Sequence, residues 1–309
     1  MPAAVARLHL ACPAPRPILI ADATECEKAS VMLDALKRIH DKGVRFQTVV
    51  DVGCADGHFF LELLHRRVAP GAVSLNVDAN QIYETSLKDI ARAVGGHYRI
   101  TALADFQGET EMTTASHPYW ASLRPQGDRY WERINSLSAE QVKVPVTTLD
   151  VLAEQIPLQG PFLLKMDVQG AEEAVLRGAS KVLADTYMVI CEADLDDFGK
   201  IHSTLSNHDF VLYDVTQLNR DPEGGLGWFY PVYLHRRLDH LRARAFWPES
   251  ANARVIEMQV ARRTAMRERV ARLLGETRKG AISKTPRNAP CTCGSGRKYK
   301  HCCGSFGKE

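Results

Sequence analysis

Carboxylates stand at the ends of five extended-looking runs in this 309-residue chain: Asp51, Asp78, Asp105, Asp167 and Glu192. The first lies in Val49-Val50-Asp51-Val52-Gly53-Cys54-Ala55-Asp56-Gly57, where an apolar run meets an acid and then turns through two glycines. Gly53 and Gly57 can take backbone angles closed to other residues, and they admit a ligand close to the main chain. A helix starting at His58 would offer free N–H groups at the same place. A dinucleotide calls for the fuller G-x-G-x-x-G loop, with its pyrophosphate on the helix end. Here the third glycine is missing, and Asp56 would repel an anion. A ligand with a cationic centre and an amino-acid head suits the loop better, which favours S-adenosylmethionine (SAM) over NAD. A glycine turn holding no ligand uses the same residues. Asp78 sharpens the choice, because it follows the loop by roughly 20 residues, where nucleoside-binding folds place a carboxylate on the ribose hydroxyls. A solvated strand-end acid is the plainer alternative.

Asp167 and Glu192 each close an apolar run, and Asp167 precedes a further turn at Gly170. Two carboxylates facing one cleft can divide the work, one as a base with a raised pKa and the other holding a substrate hydroxyl or a divalent ion. Either could instead cap the helix that follows. The eight cysteines are unevenly placed: Cys291, Cys293, Cys302 and Cys303 crowd the last twenty residues in two tight pairs. That clustering is the signature of a metal site, not of a disulfide scaffold. Cys12, Cys26, Cys54 and Cys191 are scattered and are expected to be small apolar groups.

These residues need a scaffold that brings strand ends to one rim. Apolar positions at helical spacing (Val31, Leu33, Leu36, Ile39) predict a helix from Thr24 to His40 that stops at Gly43. A strand from Phe46 to Asp51, a helix from His58 to Arg66, a strand from Val73 to Asp78, a helix from Asn80 to Val94 and a strand from Tyr98 to Ala104 follow. A hairpin is expected from Asp105 to Thr114, turning at Gln107-Gly108. The stretch from His117 to Gln141 carries Pro118, Tyr119, Trp120, Tyr130 and Trp131 with no clean period. It is expected to form a loop or lid, its aromatics stacking on a substrate or pinning the loop. Beyond it come an extended piece (Val144 to Thr148), helices from Leu149 to Ile156, Gly170 to Leu183 and Asp197 to Ser206, and strands from Phe162 to Asp167, Tyr187 to Ala193, Phe210 to Val215 and Trp228 to Leu234. This alternation demands an α/β fold with a mostly parallel, doubly wound sheet, closed by an antiparallel edge. Ligands of such sheets bind beyond the carboxyl ends of the strands. Asp51, Gly53, Asp78, Ala104, Asp105, Asp167 and Glu192 converge there.

Apolar content of 45% and charged content of 25% are ordinary for a soluble globular protein. The length suffices for one large domain with an appendage or for two domains. The net charge of +2 argues neither for nor against a polyanion partner. No apolar run is long enough for a transmembrane helix, and the start lacks an apolar core long enough for export. Residues 1–22 are therefore expected to be a disordered leader on a cytoplasmic protein. From Arg236 to Arg287 there are fourteen Lys or Arg against five Asp or Glu. Ile256, Val260, Met266, Val270 and Leu273 make Glu249 to Glu276 a long basic amphipathic helix, either packed with a solvated Arg face or touching nucleic acid, ribosome or anionic lipid. Gly280 to Asn288 is expected to be a flexible linker.

Three blocks carry a family likeness: Val146-Thr147-Thr148-Leu149-Asp150, then Leu164-Lys165-Met166-Asp167-Val168-Gln169-Gly170-Ala171-Glu172, then Val175-Leu176-Arg177-Gly178-Ala179. Over residues 44–235 the chain resembles the FkbM family of SAM-dependent methyltransferases. The resemblance implies a Rossmann-like methyltransferase fold and methyl transfer, commonly to a hydroxyl of a sugar, lipid-linked or polyketide-type acceptor. The expected cofactor-binding set is Asp51, Gly53, Cys54, Gly57, Asp78, Ala104 and Asp105, with Asp105 near the adenine. The expected catalytic pair is Asp167 and Glu192. Gln169 departs from the family, which usually has Glu there, and the loop with Cys54 and Asp56 is also atypical.

The run from Pro290 to Gly304 resembles the SEC-C motif found at the end of the translocation ATPase SecA and in other bacterial proteins. Four thiols in two pairs can surround one tetrahedral Zn²⁺, with Gly294 and Gly296 letting the chain fold back. So short a segment has almost no core, and metal binding would be its folding energy. His301 could replace one thiolate or be a surface histidine. Arg297, Lys298 and Lys300 suggest a docking knuckle for a protein or ribosomal partner. The expected organisation is a leader (1–22), a methyltransferase domain (23–235), a basic helical extension (236–280), a linker (281–289) and a zinc knuckle (290–309). The expected function is O-methylation of a glycan, lipid-linked or natural-product acceptor. The alternative is a catalytically inactive adaptor that works through its basic helix and knuckle.

Overall fold

The structure is a computed structural model that describes residues 32–65, 67–114, 118–125, 128, 131, 140–242, 249–282, 286–291 and 293–305. The expected leader, the start of the first helix, and Tyr130 with much of the expected lid lie outside the described residues. The chain divides into two compact units, Met1–Arg242 and Ala243–Glu309.

In the first unit, helical residues 32–41 (α1) precede β1 (Thr48–Val52), α2 (His58–His65), β2 (Val73–Asp78), α3 (Glu84–Val94) and β3 (His97–Ile100). β4 (Ala102–Leu103), β5 (Gly108–Thr114), β6 (Glu140–Thr147), α4 (Leu149–Gln155) and β7 (Phe162–Met166) come next. α5 (Glu172–Arg177), α6 (Ser180–Ala184), β8 (Thr186–Cys191), β9 (Ala193–Asp194) and α7 (Phe198–Asn207) lead to the long pair β10 (Phe210–Arg220) and β11 (Leu226–His235).

The main sheet runs β3-β2-β1-β7-β8-β11-β10, with β9 on β11. Its first five strands are parallel, and β11 is antiparallel to both β8 and β10. The expected doubly wound sheet with an antiparallel edge is therefore present. The chain winds outward through β1, β2 and β3, then returns to the other side of β1. That reversal opens a crevice above the carboxyl ends of β1 and β7, where such folds take their ligands.

Successive strand residues face opposite sides. Val50, Val52, Leu164, Met166 and Val189 pack with Leu152, Leu176, Val182 and Ile201 of α4 to α7. Val49, Leu163, Met188 and Ile190 pack with Leu36, Phe60 and Ile90 of α1 to α3. With both faces covered, β1 and β7 are buried along their whole length, which is why they are near-continuous apolar runs.

Three local expectations change. The strand from Tyr98 to Ala104 is two: β3 stays in the main sheet, and β4 joins a second sheet of order β4-β6-β5. The hairpin from Asp105 to Thr114 does not form, because β5 pairs with β6 over seven residue pairs. β4 is only two residues long and is itself paired to β6, so no local partner competes with that ladder. The helix from Gly170 to Leu183 breaks at Gly178, where a Cβ would lie 2.1 Å from the Ala104 backbone oxygen. Asp150 explains the restart: its carboxylate accepts from the Lys181 and Val182 N–H groups at 3.0 Å, a cap for α6. Thr148 caps α4 through Val151 N–H at 3.1 Å. The Thr148-Leu149-Asp150 block is thus a pair of helix caps around a buried leucine.

In the second unit, α8 (Glu249–Ile282) runs 34 residues, about 51 Å at 1.5 Å per residue. It continues through Gly280, where a linker was expected. Ile256, Val260, Met266 and Val270 are exposed rather than packed. Among the described residues no helix is long and apolar enough to cross a membrane.

Candidate functional site

Leaving β1, the chain turns through Gly53 (φ 67), Ala55 (φ 48) and Gly57 (φ 80). A Cβ on Gly53 would lie 1.9 Å from the Asp167 backbone oxygen, and one on Gly57 would lie 2.6 Å from Ile90. The first glycine therefore lets the β1 loop touch the β7 loop, and the second lets α2 start against α3. Ala55 N–H donates to Asp78 Oδ2 and Asn80 N–H to Asp78 Oδ1, both at 2.8 Å. Asp78 ties the glycine loop to the end of β2. Burial pushes its carboxyl up to about 6, against the pull of those two N–H donors. Each oxygen retains acceptor capacity for a ligand hydroxyl.

Asp51 is fully buried and pairs with Lys165 Nζ at 3.1 Å. Burial raises the Asp51 carboxyl and the Lys165 charge lowers it. Burial also works against the Lys165 charge, but Asp51 and Asp167 outweigh it and hold the amine above the ordinary lysine value. Lys165 donates to the Gly53 carbonyl at 3.3 Å and lies 3.8 Å from Asp167 Oδ2. It belongs to the site although its sequence setting marked it only as part of a family block. The available signal was one charge in each of two apolar runs, Asp51 and Lys165, which parallel pairing sets side by side.

Asp167 accepts from Tyr230 Oη at 2.7 Å and from Gln169 Nε2 at 2.8 Å. The same Nε2 donates to Glu192 Oε2 at 2.7 Å. Burial, then the charges of Asp167 and Glu172, push Glu192 well above the usual carboxylate range. Burial likewise raises Glu172 to about 7, although it accepts the Val168 and Gly170 N–H groups at 2.9 Å. Gln169, Tyr230 and Glu172 were not foreseen as site residues.

The remaining expected residues differ in how they meet the rim. The Cys54 side chain packs with Tyr83 and Leu87, and burial, then the nearby Asp51 and Asp78 charges, raise its thiol. Ala104 is buried. Asp105 pairs with Arg177 Nε at 2.9 Å on the exposed surface. The structure thus joins Asp51, Asp167 and Glu192 through Lys165 and Gln169, and places Asp78 beside the glycine loop.

Part of the expected lid is tied to this rim. Ser122 Oγ donates to the Gln169 carbonyl at 2.7 Å, and Arg124 Nε to the same oxygen at 3.1 Å. Arg124 also pairs with Asp197 and, at 3.5 Å, with Asp194. Trp131 is buried and donates to the Pro125 carbonyl, while exposed Tyr119 stacks on Tyr83. Beside Asp167 lies a pocket lined by Phe59, Glu62, Lys165, Gln217 and Tyr230, with Leu33 among its apolar wall.

In the second unit, the sulfurs of Cys291, Cys293, Cys302 and Cys303 lie within 4.8 Å of one another. Thiolates around a tetrahedral zinc, at a Zn–S distance of about 2.3 Å, stand about 3.8 Å apart, so the cluster fits a single ion after slight contraction. Gly294 and Gly296 take φ of 79 and 69, and Cys291 N–H bonds the Arg297 carbonyl at 2.7 Å. Ser295 pushes the Cys293 thiol down to about 6. His301 is exposed and outside the cluster.

Residues 51–212 match the methyltransferase FkbM domain, just over half of the chain. The chain belongs to the FkbM methyltransferase family. Residues 287–305 match the SEC-C motif. The protein translocase subunit SecA of Lachnoclostridium phytofermentans is 45% identical over 51 residues, 14% of this chain and 6% of that protein. SecA of Dichelobacter nodosus is 77% identical over 24 residues, 8% of this chain and 3% of that protein. The uncharacterized protein YccF of Bacillus subtilis is 71% identical over 24 residues, 7% of that protein. The chain spans only a few per cent of the length of these curated relatives. Among solved structures, an FkbM methyltransferase from Methylobacillus flagellatus aligns with 15% identity and a TM-score of 0.37, over 61% of this chain and 43% of that one. Magnesium protoporphyrin IX methyltransferase from Synechocystis, with bound SAM, aligns with 11% identity and a TM-score of 0.38, over 69% and 82%.

Proposed function

We propose that this FkbM-family chain binds SAM at the carboxyl ends of β1 and β2 and methylates a hydroxyl group presented beside Asp167. The observation that carries the reading is the contact of Gly53 with the Asp167 backbone: a ligand held by the glycine loop is held next to the carboxylates. Asp78 takes the ribose hydroxyls, and Ala104 and Asp105 lie toward the adenine. When bound, SAM supplies an electrophilic methyl group on a cationic sulfur. Asp51 and Lys165 balance each other's charge, so the excess negative charge at the rim comes from Asp167 and favours that cation. Asp167, held by Tyr230 and Gln169, is the group placed to accept the acceptor's hydroxyl proton. Proximity and proton removal together account for the catalysis such a displacement needs.

The acceptor enters the pocket beside Asp167. Its lining combines the rings of Phe59 and Tyr230 with the polar side chains of Glu62 and Gln217. That combination suits a hydroxylated small molecule or glycan. The four clustered thiols hold a structural Zn²⁺. Exposed Arg297 and Lys298, with Lys300, form a basic knuckle for an acidic face on a partner protein. A zinc held by four thiolates suits a reducing compartment such as the cytoplasm.

Calorimetry with SAM tests the enzyme reading. Micromolar binding by the wild type, lost in Asp78→Ala, is the expected result. A wild-type protein with no detectable SAM binding would leave the adaptor reading, with the basic helix and knuckle as the working parts.

A further inference from the structure

We propose that Gln169 is the positioning residue of this centre, its side-chain amide holding the Asp167 and Glu192 carboxylates in fixed relation to one another. The inference rests on the methyl-transfer reading of the same site. One amide nitrogen carries two hydrogens. Here one is directed at Asp167 Oδ1, 2.8 Å away, and the other at Glu192 Oε2, 2.7 Å away.

The backbone that presents this amide is held on every side. Gln169 has φ 55, a left-handed conformation that a side-chain-bearing residue keeps only where its surroundings over-determine it. Its carbonyl accepts from Ser122 and Arg124. The N–H groups before and after it, of Val168 and Gly170, both donate to Glu172. Gly170 has φ 100, and a Cβ there would lie 1.9 Å from Arg124 Nε. The strained turn, the buried Glu172 and the Arg124 strap therefore converge on presenting one amide to two carboxylates.

Asp167 then has a neutral donor on each oxygen, Gln169 on one and Tyr230 on the other. Its orientation toward the pocket is set without neutralising it. Glu192 shares the amide from the far side. The charged or titratable groups facing it include Lys165 of β7, Asp167 just after it, Glu172 of α5, Tyr230 of β11 and the adjoining Cys191 of β8. Without the amide, Asp167 and Glu192 would be linked only through a proton shared between their carboxyl groups, so that one of the two would have to stay protonated.

Titration of Glu192, followed by ¹³C-carboxyl NMR and assigned with Glu192→Gln, tests the assignment in the full chain. Gln169→Leu removes a donor to the ionised form, and Gln169→Glu adds a like charge; each is expected to raise the Glu192 midpoint by about one pH unit or more. A midpoint unmoved in both variants, at wild-type melting temperature, overturns the proposal. Should the variants fail to fold, the wild type alone decides. The Gln169 side-chain N–H resonances are expected to shift with the same midpoint as the Glu192 carboxyl, and pH-independent resonances overturn it. A failure of SAM to bind would sink the methyl-transfer reading and leave this titration result standing. An unmoved titration beside normal SAM binding would sink only the role of Gln169.

Discussion

At the carboxyl end of β7, Lys165, Asp167, Gln169, Glu192 and Tyr230 stand on strands and turns whose neighbours are buried on both faces of an eight-stranded sheet. In residues 286–305, four thiols stand on a segment whose buried side chains, among those described, are Cys291 and Tyr299. In the first region the core exists before the ligand and can hold charged groups out of water. In the second there is one ring to pack against, and the ligand must supply what the core does not. The contrast predicts that removing the ligand does little to one fold and everything to the other.

The largest expected effect is therefore metal removal. Structural zinc contributes roughly 10–16 kcal/mol in zinc-finger peptides. Purified protein should carry about one zinc per chain. Chelation, or Cys302→Ser, should abolish hydrogen-exchange protection across residues 286–305 and leave the melting of the first unit unchanged. A metal-free knuckle that remained protected would break the comparison.

Next comes the buried pair in the crevice. Lys165→Met leaves Asp51 charged or forces it to take up a proton in a fully buried place. Such an uncompensated charge costs about 3–5 kcal/mol, measured as a lowered denaturant midpoint. Adding Asp51→Leu should recover much of the loss, because replacing a whole buried pair with apolar groups is often neutral. If the double variant is no more stable than Lys165→Met alone, the pair is not what Lys165 is there to balance.

Much of the frame was legible because it is written in unbroken local patterns. The alternation of strand and helix patterns announced a parallel sheet, and the thiol spacing announced the cluster. What was missed depends on register or on distant partners. Asp51 meets Lys165 only because β1 and β7 pair in one register out of several. Tyr230 reaches Asp167 from an edge hairpin whose partner strand carries bulges near Gln217. Gln169 was noticed as a departure from a family pattern, but its two acceptors lie on different strands and only the folded turn reveals them. β5 was misjudged because the strand it pairs with, β6, begins at Glu140, far beyond any local turn.

A smaller, graded effect concerns pH. The Asp78 carboxyl sits at about 6 in the fold, above an unfolded value of about 3.9. Between those values the folded state binds the extra proton. This group's contribution to stability is therefore full below about 3.9 and falls as pH rises toward 6. Ligand binding should run the other way, because the ionised carboxylate is the better acceptor for ribose hydroxyls. SAM affinity should be flat above pH 7 and weaken by up to about tenfold per unit below 6. Calorimetry across pH 5 to 8 checks the sign; affinity that rises on acidification would remove Asp78 from the ribose.

The smallest expected effect separates surface from site. Arg177 and Asp105 form an exposed pair, with Arg177 also bound to Glu173. Exposed pairs contribute under about 1 kcal/mol, so Arg177→Ala should barely move the melting temperature. The same substitution frees the Asp105 carboxylate from its pairing with Arg177. If Asp105 lies against the adenine, SAM affinity should change while stability does not, and Asp105→Asn should change it in a way that no longer depends on residue 177. If neither variant alters SAM binding, Asp105 and Arg177 form a surface pair with no part in holding the cofactor.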